Sequence, residues 1–287
     1  MNIRVEKLTT IYQENTPFEH LALNRVSTEF EEGKYYGIIG QTGSGKSTMI
    51  QNLNGLLLPS YGEVHLGDIT LRRRTKQKIV HKAKKRVGMV FQFPEHQLFD
   101  ETVIKDVMFG PKNIGMDEDE AREKAEYYLK LLNVDEALFD KPPFDLSGGQ
   151  MRKVAIAGIL AMEPDVLILD EPTAGLDPLS HIETMELFGK IQREMGITVI
   201  LITHDMNDVY EYTDEVKLLN QGNLIRSGST KEILTDETLL KEYELEVPDI
   251  VRLTFDLERK GIKFEKMPGT KEEFIRLYTK WRDGHAE

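Results

Sequence analysis

A glycine-rich segment near the amino terminus has the residue types and spacing of a phosphate-binding loop. Residues 40–47 read GQTGSGKS and fit the pattern G-x-x-x-x-G-K-[ST]. The glycines let the backbone wrap closely around a phosphate, and N–H groups at the start of the next helix point at the anion. Lys46 is expected to contact the outer phosphates of a nucleotide, and Ser47 to ligate Mg²⁺ through its hydroxyl. The predicted nucleotide-binding residues are Gly40, Gln41, Thr42, Gly43, Ser44, Gly45, Lys46, Ser47 and Thr48.

Two acidic residues follow an apolar run in the middle of the chain. Residues 166–169 (VLIL) predict a buried strand, and Asp170 and Glu171 come directly after it. Because Mg²⁺ prefers oxygen ligands and sheds its water shell reluctantly, Asp170 is predicted to hold Mg²⁺ through water. Glu171 is predicted to polarise the water that attacks the terminal phosphate.

A second predicted helix start also has the character of an anion-binding end. Residues 146–150 read LSGGQ, in which a serine can cap the helix and two glycines leave the backbone N–H groups accessible. A chain with two such helix ends completes a site only if the two ends meet. The residues of this segment are Leu146, Ser147, Gly148, Gly149 and Gln150.

The elements that must position these residues alternate between strand and helix. The predicted strands lie near 3–8, 26–31, 35–39, 62–71, 87–91, 166–169, 197–202, 215–219 and 223–227. The predicted helices lie near 45–54, within 101–139, after residue 147, over 178–195 and in much of the chain beyond 230. This alternation indicates an α/β fold, in which crossover helices connect the strands of a parallel sheet.

Composition limits the classes of function. The 287 residues carry a net charge of -12, which argues against nucleic acid as the main partner because phosphate binding needs clustered positive charge. The chain has no cysteine, which excludes disulfide and thiol chemistry. The first residues lack the apolar core of a signal peptide, and no run approaches the ~18 apolar residues of a membrane span. A role at a membrane therefore requires partner chains.

In this order, the motifs resemble those of the ABC ATPase family. In that family two subunits stack head to tail, and each ATP lies between the phosphate loop of one and the LSGGQ segment of the other. The resemblance implies that Gln92 senses Mg²⁺ and the membrane partner, that Asp177 belongs to the D-loop (AGLDP), and that His204 contacts the γ-phosphate. It also implies that Tyr12 stacks on adenine, although a tyrosine near a first strand often serves packing alone.

The resemblance implies a fold, a catalytic set and a metal site. The fold is a P-loop NTPase with a mixed core sheet, an antiparallel β subdomain and a helical subdomain at about 93–160. The ATPase domain covers 1–230, and a helical extension covers 231–287. The implied catalytic residues are Lys46, Gln92, Glu171 and His204. The implied Mg²⁺ ligands are Ser47, Gln92 and Asp170.

Residues 91–99 (FQFPEHQLF) narrow the resemblance to the ATP-binding subunits of energy-coupling factor transporters, together with TVIKDV and FGP behind them. Gly158 supports the same narrower resemblance, since many other ABC ATPases carry arginine at this position. Such transporters combine two different ATPases, a transmembrane coupling subunit and a separate substrate-binding membrane protein. The resemblance implies ATP-driven import of vitamins or other micronutrients at the cytoplasmic face of the cell membrane. Another ABC transporter class, or an ABC ATPase without a transport role, is the alternative.

A basic segment stands out in this acidic chain. Residues 72–86 hold nine lysines or arginines and no acid, whereas the rest of the chain has 28 basic and 49 acidic residues. Such a run is commonly a solvated face. Contact with anionic lipid headgroups is the second interpretation, because each basic residue near such a surface contributes about 1 kcal/mol.

The helical extension has one predicted apolar face. Its residues are Ile250, Val251, Leu253, Thr254 and Leu257. A face of this kind is commonly packed in the core of its own chain. In the family this region helps to hold the two ATPases together, so a contact with the partner ATPase is the favoured prediction.

Overall fold

The structure is a computed structural model that describes residues 1–284, and it confirms the predicted α/β architecture. The strands are β1 (Ile3–Tyr12), β2 (His20–Phe30), β3 (Tyr35–Ile39), β4 (Tyr61–Leu66), β5 (Ile69–Leu71), β6 (Val87–Val90), β7 (Val166–Asp170), β8 (Thr198–Ile202), β9 (Glu215–Asn220) and β10 (Asn223–Ser229). The helices are α1 (Lys46–Leu53), α2 (Gln77–Arg86), α3 (Val103–Asn113), α4 (Glu118–Leu131), α5 (Gly148–Leu160), α6 (Pro178–Met195), α7 (Met206–Tyr212), α8 (Thr230–Leu234), α9 (Glu237–Glu242), α10 (Asp249–Arg259) and α11 (Lys271–Gly284).

A six-stranded sheet organises the molecule, with the order β10-β9-β3-β8-β7-β6. Strands β9, β3, β8, β7 and β6 run parallel, and β10 returns antiparallel to β9, so the sheet is mixed. The inner strands β3 and β8 are buried along their whole length, which is why their sequences are continuous apolar runs. The carboxyl ends of β3, β8, β7 and β6 therefore lie side by side at one edge.

Alternate residues of the inner strands enter two separate cores. Leu167 and Leu169 of β7 pack among the helices α3 to α6, whereas Val166 and Ile168 pack toward the second sheet. This division follows from the period of two along a strand. Because both faces are covered, the sheet is a rigid platform for whatever residues lie at its edge.

The second sheet is antiparallel, with the order β2-β1-β4-β5. Strands β1 and β2 are longer than predicted, since β1 continues to Tyr12 and β2 begins at His20. The pairing of β1 with β2 has several register shifts, and Lys7 and Arg25 have positive φ values of 48° and 51°. These irregularities interrupt the alternation of apolar and polar residues. The sequence pattern therefore predicts strands that are shorter than the observed β1 and β2.

Helices α3 and α5 form the centre of the helical subdomain and approach each other closely. A Cβ at Gly110 would lie 3.1 Å from the carbonyl oxygen of Gly158, and a Cβ at Gly158 would lie 3.7 Å from the Cα of Val107. The glycine noted at residue 158 therefore lies where two helix backbones come close together.

The C-terminal helices share a core with the ATPase unit. Ile233, Leu240 and Val251 pack in one cluster with Val209 and Leu218, so the boundary at residue 230 divides a continuous core. The predicted extension ends at residue 287, and its last three residues lie outside the described part of the chain.

The predicted apolar face of α10 needs one correction. Val251 and Thr254 are fully buried, but Leu253 is 46% exposed and lies on another side of the helix. The buried side of α10 therefore packs within this chain, and the predicted contact with a second ATPase would use exposed residues of the extension. Among residues 1–284, no helix combines the length and the apolar character needed to cross a bilayer.

Candidate functional site

The predicted phosphate loop connects β3 to α1, and its backbone leaves no room for a side chain at its first position. Gly40 has a φ of 144°, and a Cβ there would lie 2.1 Å from the carbonyl oxygen of Leu219 on β9. At the other end of the loop, Gly45 is the N-cap of α1 with a φ of 104° and makes no side-chain cap. The first N–H groups of α1 are therefore left to an external acceptor such as a phosphate.

Lys46 is folded back over this loop. Its Nζ donates to the carbonyl oxygens of Gly40 and Gln41 at 2.6 and 2.9 Å. Partial burial lowers the pKa of Lys46, whereas the nearby carboxylates of Glu171 and Asp170 act in the opposite direction. The loop carbonyls therefore hold the ammonium group, and a phosphate oxygen bound at the loop would compete with them for it.

The other predicted residues come from the adjacent strand ends. Asp170 ends β7 and Glu171 follows it, His204 comes two residues after β8, and Gln92 two residues after β6. The N–H of Glu171 donates to the carbonyl oxygen of Ile202 at 2.8 Å, and its backbone has a φ of 49°. In this conformation a carboxylate oxygen of Glu171 lies 2.9 Å from Nδ1 of His204. The sheet order thus brings the phosphate loop, the acidic pair and the histidine together.

The predicted metal ligands offer a hydroxyl, an amide oxygen and a carboxylate, from Ser47, Gln92 and Asp170. This set of oxygen donors suits Mg²⁺. Within residues 1–284 the carboxylate of Asp170 has no hydrogen bond or ion pair. Burial raises the pKa of Asp170, the charge of Glu171 adds to this effect, and Lys46 opposes it. A dication would stabilise the ionised form of this carboxylate, so the residues fit the ion.

Tyr12 lies beside the start of α1. Its hydroxyl is 3.2 Å from Oγ1 of the buried Thr48, and the tyrosine is 37% exposed. The side chain is therefore both anchored and accessible at the edge of the predicted nucleotide site.

The LSGGQ segment begins α5 as predicted. The side chains of Ser147 and Gln150 form a capping box, and Gly148 and Gly149 are exposed, with nothing within 4 Å of an added Cβ. The prediction for Leu146 needs correction, because its side chain is buried in the helical core. Leu146 anchors the segment, and the exposed surface belongs to the residues after it.

The two predicted anion-binding helix ends of the chain open into different cavities. One cavity of about 560 Å³ is lined by residues that include Gly40, Lys46 and Glu171. Another of about 610 Å³ is lined by residues that include Gly149 and Asp177. These two cavities share no lining residue. The two helix ends therefore do not form one site within the chain.

Arg152 is a site residue that the sequence analysis missed. It is only 5% exposed, and its Nη2 donates to the carbonyl oxygen of Gln92 at 3.1 Å, with Glu95 3.8 Å from its Nε. Burial lowers its pKa, and Glu95 opposes this effect. The signal in the sequence is a basic residue five positions after Ser147, among the residues that α5 buries. Arg152 ties the LSGGQ helix to the segment that holds Gln92.

A turn of the C-terminal extension also reaches the site, and no sequence motif indicated it. Gln41 donates from Nε2 to the carbonyl oxygen of Tyr243 at 3.2 Å and to Oε2 of Glu244 at 2.6 Å. About 200 residues separate these partners, so only the tertiary structure brings them together.

Comparison with known proteins agrees with this geometry. The sequence profile of a family described as ABC transporter matches residues 23–174, more than half of the chain. The chain is 46% identical to the energy-coupling factor transporter ATP-binding protein EcfA2 of Staphylococcus saprophyticus subsp. saprophyticus. The match covers 99% of this chain and 99% of that protein. EcfA2 of Staphylococcus aureus (strain MRSA252) is 47% identical, over 98% of this chain and 99% of that protein.

The chain belongs to the ABC transporter family, among its energy-coupling factor ATP-binding proteins. Solved structures of ABC ATPases resemble it closely. The structure of cbiO1 from Clostridium perfringens, part of the ABC transporter complex cbiONQ, is 40% identical with a TM-score of 0.72. The match covers 88% of this chain and 97% of the cbiO1 chain. The ATP-binding cassette MJ0796, in a dimeric post-hydrolysis state bound to ADP and Pi, is 29% identical with a TM-score of 0.69, over 79% and 98% of the two chains.

Proposed function

We propose that this ABC ATPase powers an energy-coupling factor importer as one of two unequal ATPase subunits. The observation that carries the proposal is the separation of the two anion-binding helix ends into different cavities of one chain. A second ATPase stacked head to tail would bring its own LSGGQ segment to the phosphate loop of this chain. Each ATP would then be enclosed only when the two subunits meet, and Asp177 would cross the interface between them.

The site residues have distinct roles in this proposal. Phosphoryl transfer depends on positioning and charge neutralisation more than on covalent chemistry. Lys46 neutralises the outer phosphates. Ser47, Gln92 and Asp170 would hold Mg²⁺, which when bound would supply positive charge beside the phosphates. Glu171 accepts a hydrogen bond from the attacking water and orients it.

Other contacts complete the nucleotide site in this proposal. His204, hydrogen-bonded to Glu171, directs its ring toward the γ-phosphate. Tyr12 stacks on adenine beside Thr48. The backbone N–H groups of Lys46, Ser47 and Thr48 point toward the phosphates, because no side chain caps the start of α1.

An exposed aromatic surface next to Gln92 is the proposed contact with the transmembrane coupling subunit. This coupling surface consists of Phe93, Phe99 and Phe109, which are 42%, 57% and 46% exposed. The rings of Phe99 and Phe109 contact each other edge to face at 4.7 Å. Leu98 does not belong to it, because its side chain is buried in the helical core. Motion of the LSGGQ helix would reach this surface through the contact of Arg152 with Gln92.

Substitution of the coupling surface tests this assignment. Phe93→Ser with Phe99→Ser should abolish transport by the assembled complex while ATP binding stays at the wild-type level. Tyr127→Ser is the matched control, since Tyr127 is also an exposed aromatic residue, 59% exposed on α4. Transport at the wild-type rate in the double variant would show that this surface is not the contact.

The location and partners are tested by affinity purification from native membranes. We expect a second ATPase, a transmembrane coupling subunit and a substrate-binding membrane component that carries a vitamin or other micronutrient. Recovery of other transporter subunits would favour another ABC transporter class. Recovery of nucleic acid or ribosomes would favour an ABC ATPase without a transport role.

A further inference from the structure

The turn between α9 and α10 lies against the phosphate loop. This turn, residues 243–246, accepts two hydrogen bonds from Gln41, one at the carbonyl oxygen of Tyr243 and one at the carboxylate of Glu244. Glu244, Leu245 and Glu246 also line the same 560 Å³ cavity as Lys46. A part of the C-terminal extension is therefore a wall of the nucleotide site.

The backbone of the turn has a conformation that favours glycine, yet it carries a glutamate. Glu244 has a φ of 50°. The N–H of Leu245 donates to the carbonyl oxygen of Leu240 at 2.8 Å, and the N–H of Glu244 donates to that of Lys241 at 3.3 Å. This pair of bonds is a Schellman ending of α9, with Glu244 at the position where glycine is usual. The helix ending does not need the carboxylate, whereas the contact with Gln41 uses it.

The charge of the turn opposes a bound nucleotide. Glu244 and Glu246 bring two carboxylates to the cavity where Lys46 would hold the outer phosphates. Like charges within a Debye length repel each other. A nucleoside triphosphate brings more negative charge to this cavity than a diphosphate does. The turn can therefore distinguish the two nucleotides by the presence of the terminal phosphate.

We propose that residues 243–246 form a latch that responds to the terminal phosphate of the nucleotide. Glu244 holds Gln41 until a triphosphate binds, and repulsion by the terminal phosphate then releases the turn, whereas a diphosphate leaves it in place. The turn leads directly into α10, whose Asp249 N–H donates to Oδ1 of Asn207 on α7, just after His204. Release of the latch would thus transmit the nucleotide state to the C-terminal extension. This inference rests on the nucleotide site proposed above.

Nucleotide titration of the full chain tests the latch. Binding of Mg²⁺ with a non-hydrolysable ATP analogue, and with ADP, is measured by calorimetry for Glu244→Gly and Glu244→Gln. Loss of one nearby negative charge should tighten binding of the analogue about two- to fivefold and binding of ADP by less. Glycine also retains the ending of α9, so thermal unfolding of Glu244→Gly should occur at or above the wild-type temperature.

The control is Glu258→Gln, which removes the same charge from an exposed position on α10 outside the cavity. This variant should bind both nucleotides as the wild type does. Wild-type affinities in both Glu244 variants, or equal tightening for the two nucleotides, would overturn the latch.

Hydrogen exchange gives a second readout that does not depend on substitution. In the wild-type chain, the amide of Leu245 should exchange faster with the ATP analogue bound than with ADP bound, because a turn released from Gln41 is no longer held against the phosphate loop and its bond to Leu240 opens more often. Equal exchange in the two complexes would overturn the latch while leaving the nucleotide site intact. A wild-type chain that binds neither nucleotide would overturn the site and the latch with it.

Discussion

At the residue scale, two acidic side chains show how tertiary contacts set local chemistry. Glu171 occupies left-handed backbone space, which costs on the order of 1 kcal/mol for a non-glycine residue, and its N–H bond to Ile202 offsets part of this cost. Asp208 of α7 is almost fully buried and lies 2.8 Å from Nε2 of His181 on α6. The first carboxylate is directed toward the proposed chemistry, and the second joins the helices that follow the D-loop and His204.

We predict that Asp208 makes the stability of the chain depend on pH in the acidic range. Burial raises the pKa of Asp208 from 3.8 to about 6, with the nearby Asp205 and Glu211 adding to the effect and His181 opposing it. Between these pKa values the folded state keeps a proton that the unfolded state releases. Stability relative to Asp208→Asn should therefore fall as pH rises from about 4 to about 6, by at most about 3 kcal/mol, and then level off.

Chemical denaturation of both proteins across this pH range measures the difference. Asp140→Asn is the control, because it removes a carboxylate from an exposed position outside the helices. A constant difference between wild type and Asp208→Asn from pH 4 to 7 would contradict the prediction.

At the element scale, the close contact between the phosphate loop and β9 makes Gly40 indispensable. A Cβ at Gly40 would collide with the carbonyl oxygen of Leu219, whereas at Gly115, which also has positive φ, an added Cβ meets nothing within 4 Å. Gly40→Ala should lower the free energy of unfolding by about 2 kcal/mol more than Gly115→Ala, because it adds a backbone clash to the same kind of strain. Denaturant unfolding measures both, and equal losses would contradict the argument.

Helix α2 carries most of the basic run, and the structure separates its two sides. Val80 and Ala83 are buried against the core, whereas nearly all of the basic residues of 72–86 are exposed. We predict that the chain binds vesicles that contain anionic lipid and that this binding weakens as salt is raised. Lys78→Gln with Lys82→Gln should weaken it by about 2 kcal/mol, since each lysine near such a surface contributes about 1 kcal/mol.

The matched control for this experiment is Lys260→Gln with Lys263→Gln, two exposed lysines of the extension. Vesicle co-sedimentation should show little change for this pair. Equal binding by the α2 variant and the wild type at every salt concentration would leave the basic run as a solvated face.

At the scale of the whole molecule, the two helix ends open into separate cavities, and the proposed unit of catalysis is therefore a dimer. We predict that this chain alone binds ATP but hydrolyses it slowly, and that hydrolysis rises when the partner ATPase is added. Ser147→Arg in this chain should then abolish turnover at the site that its LSGGQ segment completes, while ATP still binds to its own phosphate loop. ATPase assays with sedimentation in parallel test this, and a chain shown to be monomeric that hydrolyses ATP at the full rate would contradict it.

The sequence by itself determined the elements whose character is local. The central strands are continuous apolar runs, the phosphate loop has a fixed glycine spacing, and helix α6 begins and ends where its pattern indicates. The apolar runs also place Asp170, Glu171 and His204 at or just beyond the ends of strands. The family and the α/β class followed from these motifs.

Only the tertiary structure decided which apolar residues are buried and which distant residues touch. Leu98, Leu146 and Leu253 have the same side chain, yet two are buried and one is exposed, because burial depends on what packs against a face. The contacts of Arg152 with Gln92 and of Glu244 with Gln41 join segments about 60 and 200 residues apart. Such pairs have no local period or spacing, so their positions follow from chain topology and packing, which no short stretch of sequence contains.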